Sequence, residues 1–545
     1  MRVLRRTLGT LVALAAVWPS AACTAAHGDD AKPAAAAVLT PYQRLLPAPA
    51  AVRAEGPGYA FGAGTVIRTG GPGAPEEVRR IGELLAEQLR GPTGLPLPVV
   101  DGADGPGGPG GSGGSGGEDG GGDGVRLRLD GGAADLGEEG YRLRTTATGV
   151  TLTARTPAGL FHAGQTLRQL LPARGAGTVP GGTVTDTPRF AYRGAMIDVA
   201  RHHFPVEQVE RYVDQLAQYK INTLHVHLTD DQGWRIAVDS WPRLAEYGGA
   251  SEVGGGPGGS WSKDDYRELV AYAADRYVTL VPEIDMPGHV NAAQAAYGEL
   301  TCDGKAPARY TGVKVGFSSL CVGKERTYEF IDDVLGELAA LTPGPYLHIG
   351  GDEAHSTPAA DYARFMDRAQ AVVARHGKTV MAWHQLASAR PAPGAVLQYW
   401  GHDRTPAAEK AAVAAAAKAG HRVVLSPADH AYLDMKYDQQ TRPGLAWAGY
   451  VPAQRAYAWN PGSYLPDVPE SAVLGVEAPL WTETISTRAD WELMAFPRLL
   501  SLAELAWSPP AALNWTTHRQ RLASQGPRLD AQDITYYRAP EVPWP

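Results

Sequence analysis

Tyr346-Leu347-His348-Ile349-Gly350-Gly351-Asp352-Glu353-Ala354-His355 reads as a short apolar run that stops at two glycines and hands over two adjacent carboxylates. A buried strand ends this way when its tip delivers acidic side chains to a cleft, and carboxylates at the strand tips of a parallel barrel suit the cleavage of sugars. Taken alone, Gly-Gly-Asp-Glu is also ordinary turn composition. The surrounding sequence decides between the two.

From about Phe190 onward, short apolar runs alternate with longer amphipathic ones. The runs at Tyr192–Val199, Thr223–Leu228, Val278–Ile284, Tyr346–Ile349, Thr379–Trp383, Val396–Tyr399, Arg422–Leu425 and Val473–Glu477 read as strands. Helical spacing falls between most of them, at Val206–Tyr219, Lys263–Arg276, Thr327–Leu341, Ala359–His376 and Pro406–Ala419, with a last helix at Trp491–Ala506. Such alternation marks a parallel sheet, and eight repeats predict an α/β fold, a (β/α)₈ TIM barrel over 189–545. In that fold the chemistry collects at the C-terminal ends of the strands.

Those ends carry a consistent cargo. The first leads to Asp198 and Arg201, the second to His227, Asp230 and Asp231, the third to Glu283, Asp285 and His289, and the fourth to Asp352 and Glu353. The fifth and sixth end in Trp383 and Trp400. Tyr432 and Asp434 follow the seventh, and Trp481 and Glu483 follow the eighth. Each residue alone has an ordinary structural explanation, but their recurrence at one rim predicts a sugar pocket, with rings against apolar sugar faces and charged groups on hydroxyls. No His-Glu-x-x-His or paired Cys/His spacing is present, so no metal site is expected. Neither a phosphate-binding glycine loop nor a Gly-x-Ser-x-Gly elbow opens a helix.

The remainder frames this core. A length of 545 residues predicts two or three domains, and 44% hydrophobic with 20% charged residues is the balance of a globular protein. The net charge of −8, without a dense basic run, excludes a nucleic-acid binder. Arg2, Arg5 and Arg6, the apolar stretch Leu8–Trp18 and the small residues before Cys23 read as an export signal over 1–23, with Cys23 a candidate lipid anchor. An extracellular or surface-anchored location is expected. Residues 24–39 read as a disordered spacer, and 40–188 as a small α+β domain with a glycine-rich insert at 102–124. In an exported protein, Cys302 and Cys321 are expected to form a disulfide worth roughly 3 kcal/mol by loop entropy. A monomer is expected.

Together with Leu224-His225-Val226-His227-Leu228-Thr229-Asp230-Asp231-Gln232-Gly233-Trp234-Arg235 and Pro282-Glu283-Ile284-Asp285-Met286-Pro287-Gly288-His289, the His348–Glu353 motif resembles the β-N-acetylhexosaminidases of glycoside hydrolase family 20, most closely the secreted actinobacterial enzymes. The first domain is similar to the one that precedes the barrel in that family. The resemblance implies an exo-acting, retaining hydrolase of N-acetylhexosaminides that needs no cofactor and uses the substrate's own acetamido group as nucleophile. It implies Glu353 as general acid/base, Asp352 as partner of the acetamido N–H, and Tyr432 as donor to the acetamido oxygen. Asp230 and His289 become a relay behind Glu353. Trp383, Trp400 and Trp481 become pocket walls, and Arg201, Asp434 and Glu483 hydroxyl binders.

Overall fold

The computed structural model of the protein describes residues 39–70, 75–102 and 124–545. The expected export signal with Cys23, the spacer up to residue 38 and the body of the glycine-rich insert, 103–123, lie outside the described residues.

Eight parallel strands close into a barrel: β1 (Tyr192–Asp198), β2 (Thr223–His227), β3 (Thr279–Glu283), β4 (Tyr346–His348), β5 (Thr379–Trp383), β6 (Val396–Tyr399), β7 (Arg422–Leu425) and β8 (Val473–Leu480). Closure runs from Tyr192 opposite Gly475 to Ile197 opposite Leu480. Every residue of β1 and β2 is buried, because helices cover one face and the barrel interior the other. The first covering helix, Val206–Ala217, buries Val206, Val209, Tyr212, Val213 and Leu216, a single stripe at helical spacing. The next, Lys263–Asp275, starts at a capping box: Asp265 N–H donates to Ser262 Oγ (3.1 Å), and Ser262 N–H donates to the Asp265 carboxylate (2.7 Å).

Two helical expectations need correction. The last helix, expected as one piece over 491–506, is two, Arg488–Ala495 and Arg498–Trp507. Pro497 separates them, since its ring offers no N–H and crowds the preceding turn. A further helix, Trp515–Ala531, was not anticipated; its polar sequence hides the short apolar set Leu522, Ala523 and Leu529 that it buries. No helix among the described residues is long and apolar enough to cross a membrane.

The barrel interior is layered. Tyr192, Val281, Met381, Val396 and Val424 fill its lower end as an apolar cluster. Above them sit His225, Glu283, His348, Gln398 and Glu477, all with no exposed surface. Most barrels fill these layers with branched apolar side chains. Here a polar layer lies directly under the C-terminal rim instead.

Before the barrel, a seven-stranded mixed sheet carries two helices, Glu76–Thr93 and Pro157–Leu170. Tyr141–Thr146 and Gly149–Ala154 form an antiparallel pair whose residues alternate in burial, with Leu143 opposite Leu152. This sheet is tied to the barrel by buried charge. Lys220, at the foot of β2, donates to Asp186 Oδ2 (3.0 Å) and to the Tyr141 hydroxyl (2.8 Å). The same Asp186 oxygen accepts from Trp507 Nε1 (2.9 Å), and Trp507 packs into the apolar core of the sheet domain. Removing one member of a buried pair strands the other, at a cost of about 3–5 kcal/mol. Lys220→Met, which keeps the bulk and deletes the charge, is expected to lower the unfolding free energy by about 3 kcal/mol in urea titrations; a loss below about 1 kcal/mol would show that the pair is not what joins the two regions.

Candidate active site

The turn after β4 follows from a close approach. A Cβ on Gly350 would lie 1.7 Å from Asp285 Oδ1, and Gly350 and Gly351 have φ of 62° and 96°. Only glycine accepts both the space and the left-handed backbone. Asp285 then receives the Gly351 N–H (3.1 Å), and Tyr362 donates to the Gly351 carbonyl (2.8 Å). Glu353 itself has φ of 43°, a conformation that non-glycine residues adopt at some energetic cost and that clusters at functional sites. The turn is thus held by Asp285 just past β3 and Tyr362 from the following helix, and it presents Asp352 and Glu353 to a cavity of about 500 Å³.

Of the expected site residues, Arg201, His289, Asp352, Glu353, Trp400, Tyr432, Asp434, Trp481 and Glu483 line this cavity. Asp230 and Trp383 stand behind the lining. Trp383 has no exposed surface and packs against Trp481 (5.8 Å between ring centroids) and His348 (4.9 Å). Trp400 is fixed by donation of its indole N–H to Gln385 (3.1 Å). Arg201 lies over the Trp481 ring and reaches Asp230 Oδ2 (2.8 Å), while its Nε has no partner. Both carboxylate oxygens of Asp434 and one of Glu483 are buried without a donor. Buried acceptors of this kind call for hydrogen-bond donors from whatever fills the cavity.

Behind the acidic pair runs a connected row. Asp230 Oδ1 lies 3.1 Å from His289 Nδ1, and His289 Nε2 lies 3.5 Å from Glu353 Oε2 and 3.9 Å from Asp352 Oδ2. Asp230 also faces His227 Nε2 (2.8 Å). Burial alone would neutralise these groups. It is outweighed by their neighbours: Arg201 and His289 hold Asp230 far below the usual carboxylate range, and Asp230, Asp285 and Asp352 hold His289 well above the usual imidazole range. Asp352 differs. Burial raises its carboxyl to about 6, His289 opposes the rise, and the charges of Glu353 and Glu283 reinforce it. Tyr432 is pushed up by burial and stays a neutral phenol able to donate.

Sequence reasoning missed part of the rim. Val313, Val315, His402, Leu445 and Trp447 also line the cavity; all but His402, which lies three residues past β6, come from loops in which no strand directly precedes them to signal their place. Val313 and Val315 lie in the segment closed by the bond between Cys302 and Cys321, which the structure forms as expected. That segment is anchored under the site by Ser318 Oγ, which donates to Asp231 (2.6 Å), and by Gln232, which donates to the Gly312 carbonyl (2.8 Å). Asp285 was visible at a strand end but carried no assigned role. Ligand atoms of His225, Glu283 and His348 lie within 4.8 Å of one another, the spacing of a metal site. Both ring nitrogens of His225 are however turned to carboxylates, at 3.0 Å from Glu477 and 3.1 Å from Glu283.

Comparison with known proteins agrees with this geometry. Residues 190–510 match the catalytic domain of glycosyl hydrolase family 20, and residues 42–187 match domain 2 of the same family. A beta-N-acetylhexosaminidase of Cellulomonas fimi is 45% identical over 425 residues, covering 77% of this chain and 84% of the relative. The solved GH20 beta-N-acetylhexosaminidase of Streptomyces coelicolor A3(2) is 57% identical, with a TM-score of 0.87 over 93% of this chain and 99% of the other. A mutant Streptomyces plicatus beta-hexosaminidase in complex with product GlcNAc is 56% identical, with a TM-score of 0.87 over 93% and 98%. The chain therefore belongs to glycosyl hydrolase family 20, with both its second domain and its catalytic barrel.

Proposed function

We propose that this protein is an exo-acting β-N-acetylhexosaminidase, hydrolysing terminal non-reducing N-acetyl-β-D-glucosamine or N-acetyl-β-D-galactosamine residues of glycosides and chitooligosaccharides with retention. The observation that carries the reading is the adjacency of Asp352 and Glu353 in a single cavity whose floor holds donor-less buried carboxylates. Two carboxylates on consecutive residues do not straddle a glycosidic bond as an acid and a protein nucleophile do. They suit a reaction in which the substrate supplies the nucleophile. The acetamido oxygen attacks the anomeric carbon as Glu353 protonates the departing oxygen, giving an oxazolinium ion. Glu353 then deprotonates the water that opens it from the same face.

In this assignment Asp352 accepts the acetamido N–H and balances the positive charge that develops there, an interaction strongest in the transition state. Tyr432 donates to the acetamido oxygen. Trp400 and Trp481 wall the sugar, with Trp383 as backing. Arg201, Asp434 and Glu483 take the hydroxyls at the far end, and that closure favours release of one sugar at a time. The Streptomyces plicatus relative holds GlcNAc as product, and a single such sugar is our choice of ligand here. The Arg2–Cys23 segment supports export, with Cys23 as a lipid attachment point, and oligosaccharides of chitin as extracellular substrates.

Three outcomes are expected. An aryl N-acetyl-β-glucosaminide is cleaved and the matching aryl β-glucoside is not; equal cleavage of both would require a protein nucleophile, and cleavage of neither a binding protein. Asp352→Asn lowers kcat by about 10²–10³ with KM nearly unchanged; a changed KM at constant kcat would remove the assigned role. Since Asp352 acts as an anion and its carboxyl titrates near 6, kcat/KM of the free enzyme falls as pH drops through that value. Stopped measurements at fixed ionic strength between pH 4 and 8 check this, and a flat profile would contradict it.

A further inference from the structure

We propose that Glu283, which touches no part of the sugar cavity, is a positioning residue for the general acid: it anchors the row His227, Asp230, His289 that presents Glu353 to the glycosidic oxygen. The inference rests on the hexosaminidase reading above and extends it below the pocket floor.

Glu283 ends β3 with no exposed surface. Its Oε2 serves two rings of β2, accepting from His227 Nδ1 and lying 3.1 Å from His225 Nε2; its Oε1 lies 2.8 Å from His348 Nδ1 on β4. The other charged groups around it are Asp285 two residues past its own strand, Asp352 after β4, and Glu477 of β8 beyond His225. His227 meets a carboxylate at each nitrogen, Glu283 at Nδ1 and Asp230 at Nε2 (2.8 Å). His225 does the same between Glu477 (3.0 Å) and Glu283. His227 is hydrogen-bonded to a carboxylate at each nitrogen, and His225 is bonded to one at Nδ1 with the second 3.1 Å from Nε2; two adjacent anions favour the imidazolium form of each ring. The sequence of charges from Glu477 through His225, Glu283, His227 and Asp230 to His289 then alternates without a break, and ends 3.5 Å from Glu353. The unusual polar layer of the barrel is the base of this row.

Glu283 is the one anion shared by both β2 rings. An amide in its place is neutral, so the two rings lose the anion they share and one of them drops a proton. If that ring is His227, Asp230 faces a neutral ring in place of an imidazolium, with Arg201 as its remaining charged partner at Oδ2 (2.8 Å), and the carboxylate that orients His289 toward Glu353 is held less firmly. The consequence is specific to proton donation. A dinitrophenolate leaves as a stable anion without an acid, whereas a phenolate needs one.

The test is kcat/KM of Glu283→Gln on phenyl and 2,4-dinitrophenyl N-acetyl-β-glucosaminides. We expect the loss on the phenyl substrate to exceed that on the dinitrophenyl substrate by at least about tenfold. Equal losses on both, or none, would overturn the proposal and leave Glu283 a packing residue. Wild-type cleavage of the dinitrophenyl substrate, measured alongside, reports separately on the parent reading. A second measurement needs no variant: ¹⁵N spectra of histidine-labelled wild-type protein should keep His225 and His227 as imidazolium at pH 8, and a neutral ring at either position would overturn the proposal.

Discussion

Isolated charges inside a barrel cost several kcal/mol each, and they persist only where opposite charges and hydrogen bonds surround them. Here strand register supplies that compensation. His227 of β2 is the direct neighbour of Glu283 on β3, and Glu283 is the direct neighbour of His348 on β4. A slip of one residue would turn these side chains outward against the helices and put Val226 or Ile284 in their place. The ionic row is consequently a statement about register, and the catalytic rim inherits its geometry from it. Asp230, Arg201 and His289 are each held by at least one member of the row or by one another.

The acidic turn depends on the same strand from another direction. Asp285 lies two residues beyond Glu283, and its carboxylate occupies the space that a side chain at Gly350 would need. One strand end thus sets both what lies under Glu353 and the path of the chain that carries it. The left-handed backbone of Glu353 is tolerated because the flanking groups are already committed: Gly351 is bonded on both its N–H and its carbonyl.

Much of this was readable before any coordinates. The eight strands stand out because burial on both faces makes near-continuous apolar runs, and their observed limits differ from the expected ones by at most three residues, at the end of β8. Side chains up to five residues past a strand fall at the rim by topology alone, which is why Arg201, Asp352, Glu353 and Trp481 could be assembled without contacts. Their chemical roles, in contrast, came from resemblance and not from spacing. Loop residues escaped, since Val313, Val315 and Trp447 reach the cavity through folded connections with no period to read. Trp383 illustrates the opposite case: a tryptophan at a strand end is buried or exposed according to its neighbours, and here Trp481 covers it. The break at Pro497 was legible in principle, since a proline inside an apolar helical pattern marks a boundary.

The Lys220–Asp186–Trp507 junction has a consequence for how such a protein changes over evolutionary time. Asp186 and Tyr141 belong to the first domain, Lys220 to the early barrel and Trp507 to the end of the helix Arg498–Trp507, so the contact joins three widely separated stretches of the gene. Recombination that grafted a foreign leading domain onto this barrel would leave an ammonium group facing an unrelated surface and an indole without its apolar bed. The two regions are modular in outline, yet the buried charge at their seam ties a change in one to a matching change in the other.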